Sequence, residues 1–182
     1  FPIGFSTITR TIVYQLSDDL PIMQTTCTFE VEVSGVPFSI TCPNDTLINT
    51  DVGECRAIVS FAPVEVDLHC NVIVTTSSNV ESGSLFNVGQ TTVEYTVSDI
   101  NNHQLTCSFI VTVVDQEGPV IEVTDLVNVV CEGLPATWEE NIYDACGVVR
   151  VTRNYESGTV FSLGVTTIVI EAEDLSGNIS TY

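Results

Sequence analysis

Apolar and polar residues alternate with period two in several short runs: Ile8 to Ile12, Val93 to Val97, Cys107 to Val113 and Ile168 to Ala172. Side chains at i, i+2 and i+4 share one face of a strand, so each run predicts a strand with one face on a core and one toward water. The runs also recur. Phe1-Pro2-Ile3-Gly4, Phe86-Asn87-Val88-Gly89 and Phe161-Ser162-Leu163-Gly164 stand 85 and then 75 residues apart, and an alternating strand follows each glycine. A polar turn comes next, Asp99 to Gln104 in one copy and Asp174 to Asn178 in another. A second strand follows the turn, clearest as Cys107 to Val113 and repeated as Cys27 to Val33.

Three copies result: residues 1–35 as the late part of a first domain, 36–114 as a complete domain, and 115–182 as a third that stops before its last strand. Six or seven short strands in each copy, with turn signals between them, predict an all-β chain of tandem immunoglobulin-like β-sandwiches. A closed barrel is the lesser alternative. Composition agrees, because Val, Ile and Thr make up about a third of the chain and suit pleated surfaces better than helices.

At 44% hydrophobic and 15% charged residues the chain has enough apolar surface to build cores. No apolar run reaches the roughly 18 residues of a membrane-spanning helix. A chain opening on Phe1 is expected to be already processed or trimmed. Against 24 acidic residues stand four arginines and no lysine, a formal charge of −20. That balance excludes nucleic acid and anionic membrane as partners, whose phosphates need Lys and Arg, and leaves a cationic partner or divalent metal open. Seven cysteines without a CxxC pair indicate disulfides and an extracellular, oxidising setting.

Nothing in the motifs points to an enzyme. The two histidines, His69 and His103, sit beside turn residues, and no nucleophile elbow, phosphate loop or HExxH pattern occurs. Glu139-Glu140 and Asp18-Asp19 could act as acid and base but read better as solvated loop residues.

Taken together, several features resemble the hyalin repeat, or HYR, module. They are Cys42-Pro43, Cys55 followed by the strand to Phe61 and Pro63, Cys70, Ser82-Gly83 ahead of Phe86 to Asp99, and Cys107-Ser108-Phe109. The resemblance covers nearly the whole chain as one full and two partial modules. It departs at Arg10, which stands at an inward aromatic or aliphatic position, and at Leu68-His69, where the family has Asp-Asn. It implies an extracellular immunoglobulin-like module of surface adhesins, matrix proteins and appendages of secreted enzymes, without catalysis.

Within that resemblance, comparison of the copies suggests disulfide partners. The third copy keeps Cys131 and Cys146 at the 15-residue separation of Cys55 and Cys70, but has Thr124 and Tyr182 near the positions of Cys42 and Cys107. Joint retention and joint loss pair Cys42 with Cys107, Cys55 with Cys70, and Cys131 with Cys146. Cys27 is left over, its partner expected upstream of Phe1.

The segment joining the second and third copies carries Asp115 and Glu117. In a sandwich of this kind it lies at the same end as the loops bearing Asp144 and Asp174, so four carboxylates are expected to converge as a candidate calcium site. The bland alternative is an acidic linker with Asp174 capping a turn. Two sequons, at Asn44 and Asn178, mark candidate N-glycans, and Asp45-Thr46-Leu47 resembles an O-glycosylation site at Thr46. Trp138, at nearly the place of Phe61, is expected in the core rather than on a sugar-stacking surface.

The function these readings imply is mechanical and adhesive: a segment of an extracellular fibre, filament or adhesin, rigidified by disulfides. Its partners would be neighbouring repeats or copies of itself, with cell-surface or matrix glycans or proteins as ligands. A version in which one subunit donates its Cys27 to Val33 strand to the next is less favoured. The alternative class is an accessory glycan- or protein-binding module of a secreted enzyme.

Overall fold

The computed structural model describes residues 4–14, 23–33, 37–69, 72–124, 131 and 133–182. Asp18, Asp19 and Cys70 lie outside these residues, as do the side chains of Arg10 and Cys27. All regular structure among the described residues is strand. The strands fall into three successive groups.

The first group is a hairpin of β1 (Gly4–Tyr14) and β2 (Met23–Val33). Its register sets Arg10 opposite Cys27. The middle group sets Tyr95 opposite Cys107 in the corresponding hairpin.

The middle group is a two-sheet sandwich. One sheet holds β4 (Thr46–Asn49), β10 (Gln104–Val114), β9 (Gly89–Asp99) and β7 (Val74–Ser78) in that spatial order, with β4 parallel to β10 and the rest antiparallel. The other face pairs β3 (Phe38–Thr41) with β6 (Glu65–Leu68), and β5 (Arg56–Val59) with β8 (Ser84–Asn87). Residues 56–68 therefore make one interrupted strand that meets β8 near its start and β3 near its end. Period-two alternation is visible in burial: Val93, Tyr95 and Val97 of β9 and Phe109, Val111 and Val113 of β10 face inward onto Phe38, Val59 and Phe86. Cys42 is bonded to Cys107 with Cα atoms 5.8 Å apart, joining the end of β3 to β10 against that core.

The third group repeats the plan. β11 (Val120–Thr124) pairs with β13 (Glu139–Tyr143), β12 (Pro135–Ala136) with β15 (Thr159–Val160), and β14 (Val148–Arg153), β16 (Ile170–Asp174) and β17 (Ile179–Thr181) form the opposite sheet. The expectation of a missing last strand is corrected here, since Ile179–Thr181 pairs with Glu171–Glu173 and begins that strand. The reading of Glu139-Glu140 as solvated loop residues is corrected too: both lie on β13, and Glu140 accepts a 2.6 Å hydrogen bond from Arg153 Nε, joining β13 to β14 of the other sheet.

Trp138 is buried, 7% exposed, in the place Phe61 takes in the middle group. The equivalence extends to the backbone. Ser157 Oγ accepts from Trp138 N and donates to Trp138 O, as Ser82 Oγ does with Phe61 N and O. Each serine closes the irregular step between the two halves of its second strand, where ladder bonds are interrupted. Ser157→Ala leaves one donor and one acceptor unpaired and is expected to cost about 1 kcal/mol. A denaturant midpoint equal to that of the parent would remove this role.

Candidate functional site at the junction between modules

The inward alternation of β10 continues one step beyond the strand and places Asp115 at 5% exposure. On β16 the same phase carries Ile170, Ala172 and Asp174 inward, with Asp174 1% exposed. A buried carboxylate must be satisfied by hydrogen bonds. Asp174 Oδ1 accepts from Ser176 N and Asn178 N, each at 2.8 Å, and Oδ2 accepts from Asn178 Nδ2 at 2.7 Å. Gly177, at φ +88°, supplies the left-handed residue this tight turn needs.

That turn grips the linker. Asn178 Nδ2 also donates to Glu117 O at 2.9 Å and Asp115 O at 3.3 Å, while Ser176 Oγ donates to Asp115 Oδ2 at 3.0 Å. The nitrogen that an N-glycan on Asn178 would occupy is therefore spent on the fold. Asn44, by contrast, is exposed, in a loop held to β10 by Ile110 N donating to Asp45 Oδ1 at 2.7 Å. Thr46, the first residue of β4, is half-buried.

Asp144 organises the turn between β13 and β14. Its Oδ1 accepts from Cys146 N at 2.7 Å and Gly147 N at 3.1 Å, which presents Cys146 toward the linker. Leu175 N donates to Gly147 O, so this turn and the Asp174 turn brace each other. Ligand atoms of Asp115, Asp144 and Cys146 lie within 4.8 Å of one another. Glu117 points elsewhere, to the middle group.

On the middle group's side, the loop before β5 closes on itself through Asp51, whose Oδ2 accepts from Ile58 N at 3.1 Å. Gly53 N donates to Glu117 Oε2 at 2.8 Å, and Asn49 Nδ2 donates to Gln116 Oε1 at 3.1 Å. Between these contacts Cys55 is bonded to Cys146 with Cα atoms 4.7 Å apart. One disulfide thus crosses the junction of two modules.

This bond corrects two of the pairs expected from the repeat comparison, Cys55 with Cys70 and Cys131 with Cys146. The reason is topological. Cys55 precedes β5, at the end where Thr50 N donates to Val114 O. Leu68 and His69 lie at the opposite end, where Leu68 pairs with Phe38 and His69 N donates to Pro37 O. A strand of 13 residues spans roughly 40 Å, whereas a disulfide needs Cα atoms within about 7 Å. The third group has the same arrangement, with Cys131 before β12 and Cys146 after β13. Cys55 and Cys146 instead meet each other across the junction. Cys131 itself is an exposed free thiol.

The hairpin turn of the middle group repeats the Asp174 device. Asp99 Oδ1 accepts from Asn101 N and His103 N, and its Oδ2 lies 2.8 Å from His103 Nδ1. Asn102 takes the left-handed place of Gly177, at φ 64°. Burial on its own raises the Asp99 pKa. The hydrogen bonds from His103 and Asn101 and the His103 charge outweigh it and hold the carboxyl below its ordinary value of 3.8. A depressed carboxyl pKa contributes stability above the unfolded value that is lost as pH falls through the folded one. Asp99→Asn is therefore expected to flatten the loss of stability below about pH 4, read from denaturant midpoints across that range. Parallel curves for variant and parent would contradict this.

Comparison with known proteins places the chain among modular relatives. The family model described as HYR domain matches residues 36–113. Hyalin of Strongylocentrotus purpuratus is 29% identical over 97% of this chain and 16% of its own length. Hyalin of Lytechinus variegatus is 30% identical over 98% of this chain and 35% of its own. The sushi, von Willebrand factor type A, EGF and pentraxin domain-containing protein 1 of Rattus norvegicus is 31% identical over 76% of this chain and 4% of its own. The chain spans about a third or less of each of these relatives. Among solved structures, extracellular cadherin domains 1–4 of protocadherin gamma B7 align over 98% of this chain and 56% of theirs, at 13% identity and a TM-score of 0.38.

Proposed function

Because residues 36–113 belong to the HYR family, we propose that the chain is a segment of an extracellular tandem array whose work is mechanical and adhesive. The observation that carries this reading is the Cys55–Cys146 bond across the junction. Successive domains move relative to one another by default unless the contact between them is extensive. Here the linker is gripped on one side by the Asp174 turn and on the other by Gly53 and Asn49, and then bridged covalently. Such a junction resists bending and passes load from one module to the next. The charge of −20 would keep neighbouring fibres apart.

Imaging of the intact native material under non-reducing conditions tests the proposal. The 11-residue strands β9 and β10 set a module length of about 36 Å. Threads with that repeat are expected. Compact particles attached to a catalytic domain would make the module an accessory binding unit instead.

The same junction is where we propose calcium, at Asp115 and Asp144, whose oxygens approach each other there. Cys146 sulfur is committed to its disulfide and adds no ligand. A calorimetric titration without calcium uptake up to millimolar concentration removes that proposal and leaves the mechanical reading standing.

A further inference from the structure

We infer that Cys131 is the outgoing half of another inter-module staple, whose partner is the cysteine in the β13–β14-type turn of a further HYR module stacked on the far end of the third group. The inference rests on the tandem reading above.

Three observations carry it. First, Cys131 holds the place in the third group that Cys55 holds in the second. Both precede the short strand that leads to the aromatic residue, half-buried Phe61 or buried Trp138, and its serine clamp. In the second group that position is bonded to the next module. Second, Cys131 is exposed, and Cys146, the nearest cysteine in sequence, is already bonded and lies beyond the other end of the strand. Third, among the described residues the end of the third group where Cys131 sits carries exposed aliphatic side chains. Leu134 is 55%, Leu163 78% and Val165 100% exposed, all in segments flanking β12 and β15 at that end. A thiol on an end that carries exposed aliphatic side chains suits a docked module better than open water.

Bond formation needs an oxidant, and the class is a disulfide, either of an oxidoreductase or of a small-molecule thiol. The Cys131 thiolate attacks that disulfide and releases one thiolate from it, giving a mixed disulfide. The partner cysteine's thiolate then attacks Cys131 Sγ and releases the second thiolate. Two cysteine protons and two electrons end on the oxidant, which leaves as two thiols.

The test is differential alkylation of the native full-length protein. Free thiols are capped with light iodoacetamide, disulfides are reduced, and the new thiols are capped with the heavy reagent. Cys131 is expected to carry the heavy label in the native protein and the light label in the 182-residue chain. A non-reduced digest of the native protein should join the Cys131 peptide to one carrying the second-turn cysteine of a later module. Light label on Cys131 in the native protein, with Cys55 and Cys146 still joined, overturns this inference and leaves the tandem reading intact. Cys131 joined to Cys146 overturns both. Cys131→Ser should leave the thermal midpoint of the 182-residue chain within about 2 °C of the parent. A large loss there would give Cys131 a folding role inside the third group and overturn the assignment.

Discussion

Pulled from its two ends until fully unfolded, the oxidised chain should extend about 320 Å less than the reduced chain. The figure follows from the Cys55–Cys146 separation of 91 residues at about 3.5 Å each. Force entering at one end passes from Cys55 through sulfur to Cys146 and never loads the segment between them. Cys42–Cys107, with a separation of 65, interlocks with that loop, because Cys107 lies inside it and Cys42 outside. The interlock makes the two bonds unequal. Removing Cys42–Cys107 alone leaves the reach unchanged, since the Cys55–Cys146 path is already the shorter one. Removing Cys55–Cys146 alone leaves the other bond to shield 65 residues and lengthens the reach by about 90 Å. Single-molecule force spectroscopy on the two cysteine-pair variants reads both quantities. Equal reach for oxidised parent and the Cys55/Cys146 variant would contradict a staple across the junction.

The bond that leaves the reach unchanged is nonetheless expected to matter for the stability of the middle module. Cys42→Ala with Cys107→Ala removes the closure of a 65-residue loop, worth about 4 kcal/mol in the chain-entropy account. Both cysteines also pack against the core cluster. For a module of this size that loss corresponds to a fall in thermal midpoint of about 20 °C, large against the few kcal/mol that hold small sandwiches together. Calorimetry of the double variant decides it. A midpoint within a few degrees of the parent would show that the bond closes onto structure already present in the unfolded chain.

Strand content and the repeat plan were legible because they rest on local pattern. Val93-Tyr95-Val97 and Phe109-Val111-Val113 announce their inward faces by alternation alone, and the burial follows that alternation. The same phase, carried one step further, puts Asp99, Asp115 and Asp174 inward, whereas in the sequence Asp99 reads as the start of a polar turn and Asp115 and Asp174 as calcium ligands or as linker and turn-capping residues. Their burial depends on hydrogen bonds from Asn101, Ser176 and Asn178 that alternation does not show. Joint retention of Cys131 and Cys146 is equally consistent with bonds to neighbours as with a bond to each other. What separates the two readings is that the strand between them sends them to opposite ends. The convergence of the linker, the Asp144 turn and the Asp174 turn was legible from sandwich topology. The arrival of Cys55 at the same place was not, because its loop belongs to the preceding module and meets the linker through Glu117 and Gln116.

The most direct test of the account is a non-reduced proteolytic digest of the folded chain, alkylated before denaturation, with the cross-linked peptides identified by mass. Cys55 is expected joined to Cys146, and Cys42 joined to Cys107. Cys55 joined to Cys70 would close each module on itself, leave the junction held by hydrogen bonds alone, and contradict the claim that successive modules are covalently locked.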